Sequence, residues 1–221
     1  MYRLIESIKI KNGKIYNLFY HNERMIYSRK NLLGLSGVFN INDFIEIENL
    51  NANSSVLKVI TSANAGKEIA FNINHDLLYK LRIIYSKDIL SAEVLPYKIR
   101  NIKSLKLIND NEIEYSHKTE NRQALDDLFS KKEFCDDILI VKNNRFTDTS
   151  SANIVFFDGE KYITPEIALL KGTKREQLLD EKVIITSDIT TNDLPSFQRA
   201  YLINAMIDLH DLPIEIDNIF S

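Results

Sequence analysis

Gly172 and Thr173, at the start of a stretch with helical spacing, form an anion cradle in outline. Glycine lets backbone approach a ligand closely, and a helix N-terminus offers free N–H groups with a favourable dipole. Four other stretches place polar or small residues at the ends of expected elements. His21-Asn22-Glu23-Arg24 lies on a first helix, and His117-Lys118-Thr119-Glu120-Asn121-Arg122 stands where a strand gives way to a helix. Residues 146–153 (FTDTSSAN) precede a hairpin, and Leu202-Ile203-Asn204-Ala205 ends a strand. The familiar hydrolase, nucleotide and zinc signatures are missing: no G-x-S-x-G elbow, no Walker loop and no H-E-x-x-H. The four histidines, His21, His75, His117 and His210, lack metal spacing and read as surface or hydrogen-bonded residues, so no metal site is expected. Cys135 is the single cysteine, which excludes an intrachain disulfide and a multi-cysteine metal site. It follows an apolar Phe and has no evident activating cation, so it reads as structural.

Those stretches need a scaffold, and composition allows one. The chain has 221 residues, with 28 Lys+Arg against 31 Asp+Glu and a formal net charge of -3. That balance excludes a broad basic surface for nucleic acid. Hydrophobic residues at 44% and charged residues at 27% fit a globular protein of one or two domains. The N-terminal residues alternate apolar and polar, unlike a signal peptide, and no apolar run approaches a membrane span. A reduced, cytoplasmic location is the expectation.

Asn12-Gly13 between isoleucine-rich strands predicts a tight type I′ hairpin. Spacing predicts helices over 19–33 and 42–50, then strands over 55–61, 68–73, 81–85, 93–99 and 104–108. Asn109-Asp110-Asn111 reads as a turn. Thr119 is expected to cap a helix reaching about 132, followed by a buried strand over 137–142. Residues 154–164 read as a second hairpin closed by Asp158-Gly159, with Thr173 and Glu176 as a capping box for the next helix. Strands are expected over 183–186 and 199–203. The class is α+β, strand-dominated, with a smaller N-terminal domain over 1–100 and a larger one over 101–221.

In this order and spacing the motifs resemble the class IV aminotransferase superfamily, the pyridoxal 5′-phosphate (PLP) enzymes of fold type IV. Strand-Asn-Gly-strand followed by H-x-x-R is similar to the family's opening. K-x-x-N-R resembles its Schiff-base segment, T-D-T-S-S-A-N-I-V-F-F its T-E-x-x-x-x-N-x-F, and L-L-x-G-T-x-R its next block. The pattern is most like the aminodeoxychorismate lyase branch. The resemblance implies a two-domain fold with PLP between the domains and a homodimer acting on a small amino substrate. It implies release of 4-aminobenzoate and pyruvate. The alternatives are a branched-chain or D-amino-acid aminotransferase and a cofactor-binding protein that has lost catalysis.

By the same resemblance Lys118 is the Schiff-base lysine, a role that needs a desolvated primary amine. Arg24 would hold the cofactor phosphate through its guanidinium fork, from a helix surface. Gly172 and Thr173 would line the phosphate cup, with Asn204 and Ala205 on a second phosphate-side segment. Asp148 stands where the family typically has Glu paired with the pyridine nitrogen, and Asn153 follows at the family's distance. The sequence also departs from the family in the strand before the first motif and in the loop 62–66, which bears on substrate identity.

Overall fold

The computed structural model describes residues 2–37, 39–62 and 68–221, which form two compact units. The first comprises Met1–Lys98 with His117–Asn121, the second Ile99–Ser116 with Arg122–Ser221. The protein is α+β, with many strands and three α-helices among the described residues.

In the first unit, β1 (Leu4–Lys11) turns through Asn12-Gly13 into β2 (Lys14–Ile15). Both turn residues have positive φ, 50° and 67°, as a type I′ turn requires. Helix α1 (Leu18–Leu33) follows and ends at Gly34, whose left-handed backbone donates to the Arg29 and Lys30 carbonyls. Strands β3 (Ile45–Asn51), β4 (Ser54–Ile60) and β5 (Glu68–Asn74) form one antiparallel sheet. Strands β6 (Tyr79–Tyr85) and β7 (Ile89–Pro96) extend the other, in the order β2-β1-β6-β7. Leu4, Ile8 and Ile10 of β1, Met25 of α1, Leu57 and Val59 of β4 and Leu81 and Ile83 of β6 share one buried core.

The helix expected over 42–50 is a short 3-10 turn, Ile41–Asp43, followed by β3. Ile45 and Ile47 alternate with Glu46 and Glu48, a period of two, and pair with Val59 and Leu57 of β4. The helix expected from Thr119 starts later, as α2 (Gln123–Phe129), because residues 118–120 are occupied elsewhere. Leu4 bridges Thr119, the Ile5 amide donates to the Lys118 carbonyl at 2.8 Å, and the Glu120 amide donates to Arg3. The lysine-bearing segment thus runs along β1, back in the first unit.

The second unit carries β8 (Leu105–Asn109), β9 (Asp137–Lys142), β10 (Arg145–Thr149), β11 (Asn153–Phe157), β12 (Tyr162–Pro165) and β13 (Ile185–Ser187). Strands β14 (Arg199–Ile203), β15 (Pro213–Glu215) and β16 (Ile219–Phe220) complete its sheet. The order is β13-β12-β11-β10-β9-β8-β16, with β14 also pairing β11. The 158–161 connection spans four residues, since Phe157↔Tyr162 is the last pair. Asp158 Oδ1 accepts from the amides of Glu160 and Lys161, so an Asx-type turn replaces the expected two-residue one. Helix α3 (Thr173–Asp180) has Gly172 as N-cap, so Thr173 lies inside the helix and makes no capping box with Glu176. The box belongs instead to Thr190 and Asp193, at the start of a 3-10 segment.

A Cβ on Gly13 would lie 2.5 Å from His75 Nε2 and 2.9 Å from Ser55 Oγ, on top of its positive φ. Gly13→Ala should therefore destabilise the protein by about 1–3 kcal/mol, read as a lower urea midpoint. An unchanged midpoint would show that the hairpin tip can move away from the second sheet.

Candidate functional site

Candidate residues fall into two clusters, one in each unit. In the first, α1 brings His21, Arg24 and Ser28 onto one face at helical spacing, with His21 and Ser28 buried. Opposite them is a residue outside the sequence-based set, Glu6 of β1, which has no solvent exposure. Glu6 Oε1 accepts from Arg24 Nε at 2.9 Å, and Oε2 accepts from Arg24 Nη2 and His21 Nδ1, each at 2.5 Å. Arg24 is therefore not the helix-surface arginine expected: its side chain is 11% exposed, because a buried carboxylate draws it inward. Burial alone would raise the Glu6 carboxyl, but Arg24 and His21 overcome it and hold it down at about 2. Burial pushes His21 below its ordinary range, against the pull of Glu6.

Lys118 is half-buried in this unit, and its charge also lowers His21. The preceding His117 stacks on Tyr27, ring centroids 5.3 Å apart, and its Nδ1 lies 3.2 Å from Ser28 Oγ. One signal for Glu6 was present in the sequence. It falls in phase with Leu4, Ile8 and Ile10 on a strand, so a carboxylate had to be buried and needed a cation.

The second cluster is built on a fault in the sheet. Strand β10 bulges between Phe146 and Thr149, so that two residues, Thr147 and Asp148, stand opposite one on β9. Bulges re-aim side chains in this way. Among the described residues, Asp148↔Asn153 is also the only registered pair joining β10 to β11. Asp148 is buried; its Oδ1 accepts from Asn153 Nδ2 and its Oδ2 from the Leu170 amide, both at 2.8 Å. Asn153 Nδ2 also donates to the Leu170 carbonyl at 2.9 Å. Both peptide groups flanking Leu170 are thus clamped, and the chain enters α3 two residues later. Asp148 does not close its own turn. Burial pushes its carboxyl up to about 6, against the Leu170 amide, Asn153 and Arg175.

Gly172 is fixed by the same contacts: a Cβ there would sit 2.1 Å from Asn153 Oδ1. As N-cap it offers no side-chain acceptor to the first turn of α3. Thr173 Oγ1 is buried and has no hydrogen-bond partner among the described residues. Lys174 and Arg175 follow, although cations are unfavourable at a helix N-terminus; they reach Asp208 and Glu176, at 2.7 Å each. An anion at this end would satisfy the orphaned hydroxyl, the amides and the dipole together, so these residues fit a phosphate. Asn204 Oδ1 accepts from the amides of Met206 and Ile207, and Nδ2 donates to the Ser151 carbonyl at 3.1 Å. It closes its own turn, with Ala205 inside it, and ties that turn to the 149–152 connection. Of the loop 62–66, residues 63–66 lie outside the described residues. Cys135 is buried, and burial pushes its thiol up.

The family model of amino-transferase class IV matches residues 3–211. An uncharacterised protein from Haemophilus influenzae is 31% identical over 208 residues, covering 93% of this chain and 98% of that one. A Haemophilus somnus protein described provisionally as a 4-amino-4-deoxychorismate lyase has a crystal structure with TM-score 0.77 at 29% identity, covering 95% of this chain and 98% of that one. A Mesorhizobium loti protein, described provisionally as an amino-acid aminotransferase, shares the fold with TM-score 0.69 at 19% identity, covering 97% and 99%.

The raised Asp148 carboxyl has a signed consequence. Its ordinary pKa is 3.8 and its folded value about 6, so the folded state binds its proton more tightly. The associated stability is fully present below about pH 4 and is lost as pH rises through about 6, up to about 3 kcal/mol. Asp148→Asn should lack this component, so the stability difference between wild type and variant should shift in the variant's favour from pH 4 to 6. Parallel urea-unfolding curves across that range would place the carboxyl in a solvated environment instead.

Proposed function

Because this chain belongs to the class IV aminotransferase family, whose cofactor is pyridoxal 5′-phosphate, we propose that it is a PLP-dependent lyase converting 4-amino-4-deoxychorismate to 4-aminobenzoate and pyruvate. The observation that carries the cofactor assignment is the buried, unpartnered Thr173 hydroxyl at a helix N-terminus opened by Gly172. Similarity along nearly the whole chain to the Haemophilus somnus protein supports the lyase reading.

When bound, PLP supplies an aldehyde that condenses with a primary amine and a ring that withdraws electrons from a bond being broken. In this reading Thr173 Oγ1 and the first amides of α3 hold the phosphate, with Arg24 as a further cation for it and Asn204 and Ala205 bordering it. Asp148, steadied by Asn153, would keep a proton on the ring nitrogen. The bulge in β10 sets where that carboxylate stands. Lys118 would supply the primary amine, at Nζ, that holds the cofactor. With substrate bound, the Lys118 amine would take the proton from the substrate carbon bearing nitrogen and return it to the methylene of the departing three-carbon fragment. The remaining ring becomes aromatic, so the protein needs chiefly to hold the substrate and move that proton. A homodimer is part of this reading by family resemblance, and a cytoplasmic location by the single cysteine. The other family activity, amino transfer to a 2-oxo acid, uses the same lysine and needs an acceptor site as well.

Purified protein incubated with PLP should release 4-aminobenzoate and pyruvate in equal amounts from 4-amino-4-deoxychorismate. Amino transfer to 2-oxo acids without 4-aminobenzoate release would replace the lyase by an aminotransferase, and product from neither would favour a chain that has lost catalysis. Borohydride should fix PLP to Lys118, and peptide mapping to another lysine would refute its role. Thr173→Val should weaken PLP binding by roughly tenfold or more in a spectroscopic titration, as expected for a hydrogen bond to a charged group worth about 1.5–3 kcal/mol.

A further inference from the structure

A carboxylate without solvent contact is unfavourable unless its lone pairs are filled. Glu6 meets three donors: two nitrogens of Arg24 and Nδ1 of His21. An ionised carboxylate only accepts, so His21 must carry its proton on Nδ1. With burial favouring the neutral ring, Nε2 is an acceptor, buried and without a partner among the described residues. Pairing through both Nε and Nη2 also fixes the plane of the Arg24 guanidinium, which on a long side chain would otherwise sample many orientations.

We propose that Glu6 is a positioning residue: it sets the guanidinium plane of Arg24 and the tautomer of His21, and so prepares Arg24 to receive the phosphate of the cofactor. The inference rests on the reading of Arg24 as a phosphate ligand given above. Two other roles make opposite predictions. A Glu6 that only fills the core affects stability and leaves cofactor affinity alone. A Glu6 that only neutralises Arg24 weakens phosphate binding, so its removal tightens it.

The test is PLP titration of the apoprotein for wild type, Glu6→Gln, Arg24→Ala and the double variant, corrected for the folded fraction seen by near-UV circular dichroism. Arg24→Ala should weaken PLP binding. Glu6→Gln should raise the Kd roughly tenfold, since a guanidinium without its paired carboxylate is less ordered before binding. In the Arg24→Ala background Glu6→Gln should add less than twofold. If Arg24→Ala leaves the Kd unchanged, the phosphate reading of Arg24 falls and the inference with it. If Arg24→Ala weakens binding and Glu6→Gln leaves it unchanged or tightens it, the inference alone is overturned. Nitrogen-15 NMR of the wild-type apoprotein tests it even if Glu6→Gln does not fold. His21 should show a protonated Nδ1 and an unprotonated Nε2 at pH 7, and the reverse tautomer would overturn the proposal.

Discussion

The carboxylate of Asp148 accepts the amide of Leu170, 22 positions further along the chain, and the amide group of Asn153 from the neighbouring strand. Three parts of the second unit meet at those two bonds. The bulge in β10 aims the carboxylate, the single pair with β11 supplies Asn153, and the clamp on Leu170 sets where the chain can begin α3. With the entry fixed, Gly172 is the only residue type that fits beside Asn153, and a helix start without a side-chain cap follows. The uncapped start of that first turn is therefore a product of the sheet, transmitted through one carboxylate. Each member of the chain is weak by itself, but a buried polar network that is fully joined specifies one geometry.

The first unit handles its buried carboxylate differently. Glu6 has a cation within hydrogen-bond reach and stays ionised, its carboxyl held at about 2. Asp148 has only neutral donors in direct contact, with the Arg175 charge acting on it without a hydrogen bond, and its carboxyl rises to about 6. Two acids buried to a similar degree are thus set about four units apart by the charge of what they touch.

What could be read from the sequence was local chemistry. Asn12-Gly13 demands positive φ at both positions, and the hairpin forms there. Strand 199–203 follows from its own apolar run, Ala200-Tyr201-Leu202-Ile203. The stretch 42–50 misleads because its spacing admits a helix, whereas Ile45 and Ile47, two apart, fit a strand; pairing with β4 decides it. Thr173 and Glu176 have capping-box spacing, but Gly172 takes the cap because Asn153 leaves space only for glycine. Motif order carried the family, which spacing alone could not. Glu6 and the Leu170 clamp depend on partners 15 or more positions away, which no local pattern specifies, although the phase of Glu6 with Leu4, Ile8 and Ile10 signalled its burial.

The return of residues His117–Asn121 to the first unit bears on how the chain acquires its structure during synthesis. The Leu4 end of β1 is bordered by β6 on one edge and by the Lys118–Glu120 backbone on the other. A nascent chain of 98 residues holds every strand of both sheets but leaves that second edge open. The edge is filled only after some twenty further residues have been made, and those still inside the ribosomal exit tunnel delay it more. Until then a row of amides and carbonyls on β1 faces solvent or chaperone, a natural place for mispairing. The segment that closes it carries Lys118, so the edge is sealed and that side chain joins the first unit in one event.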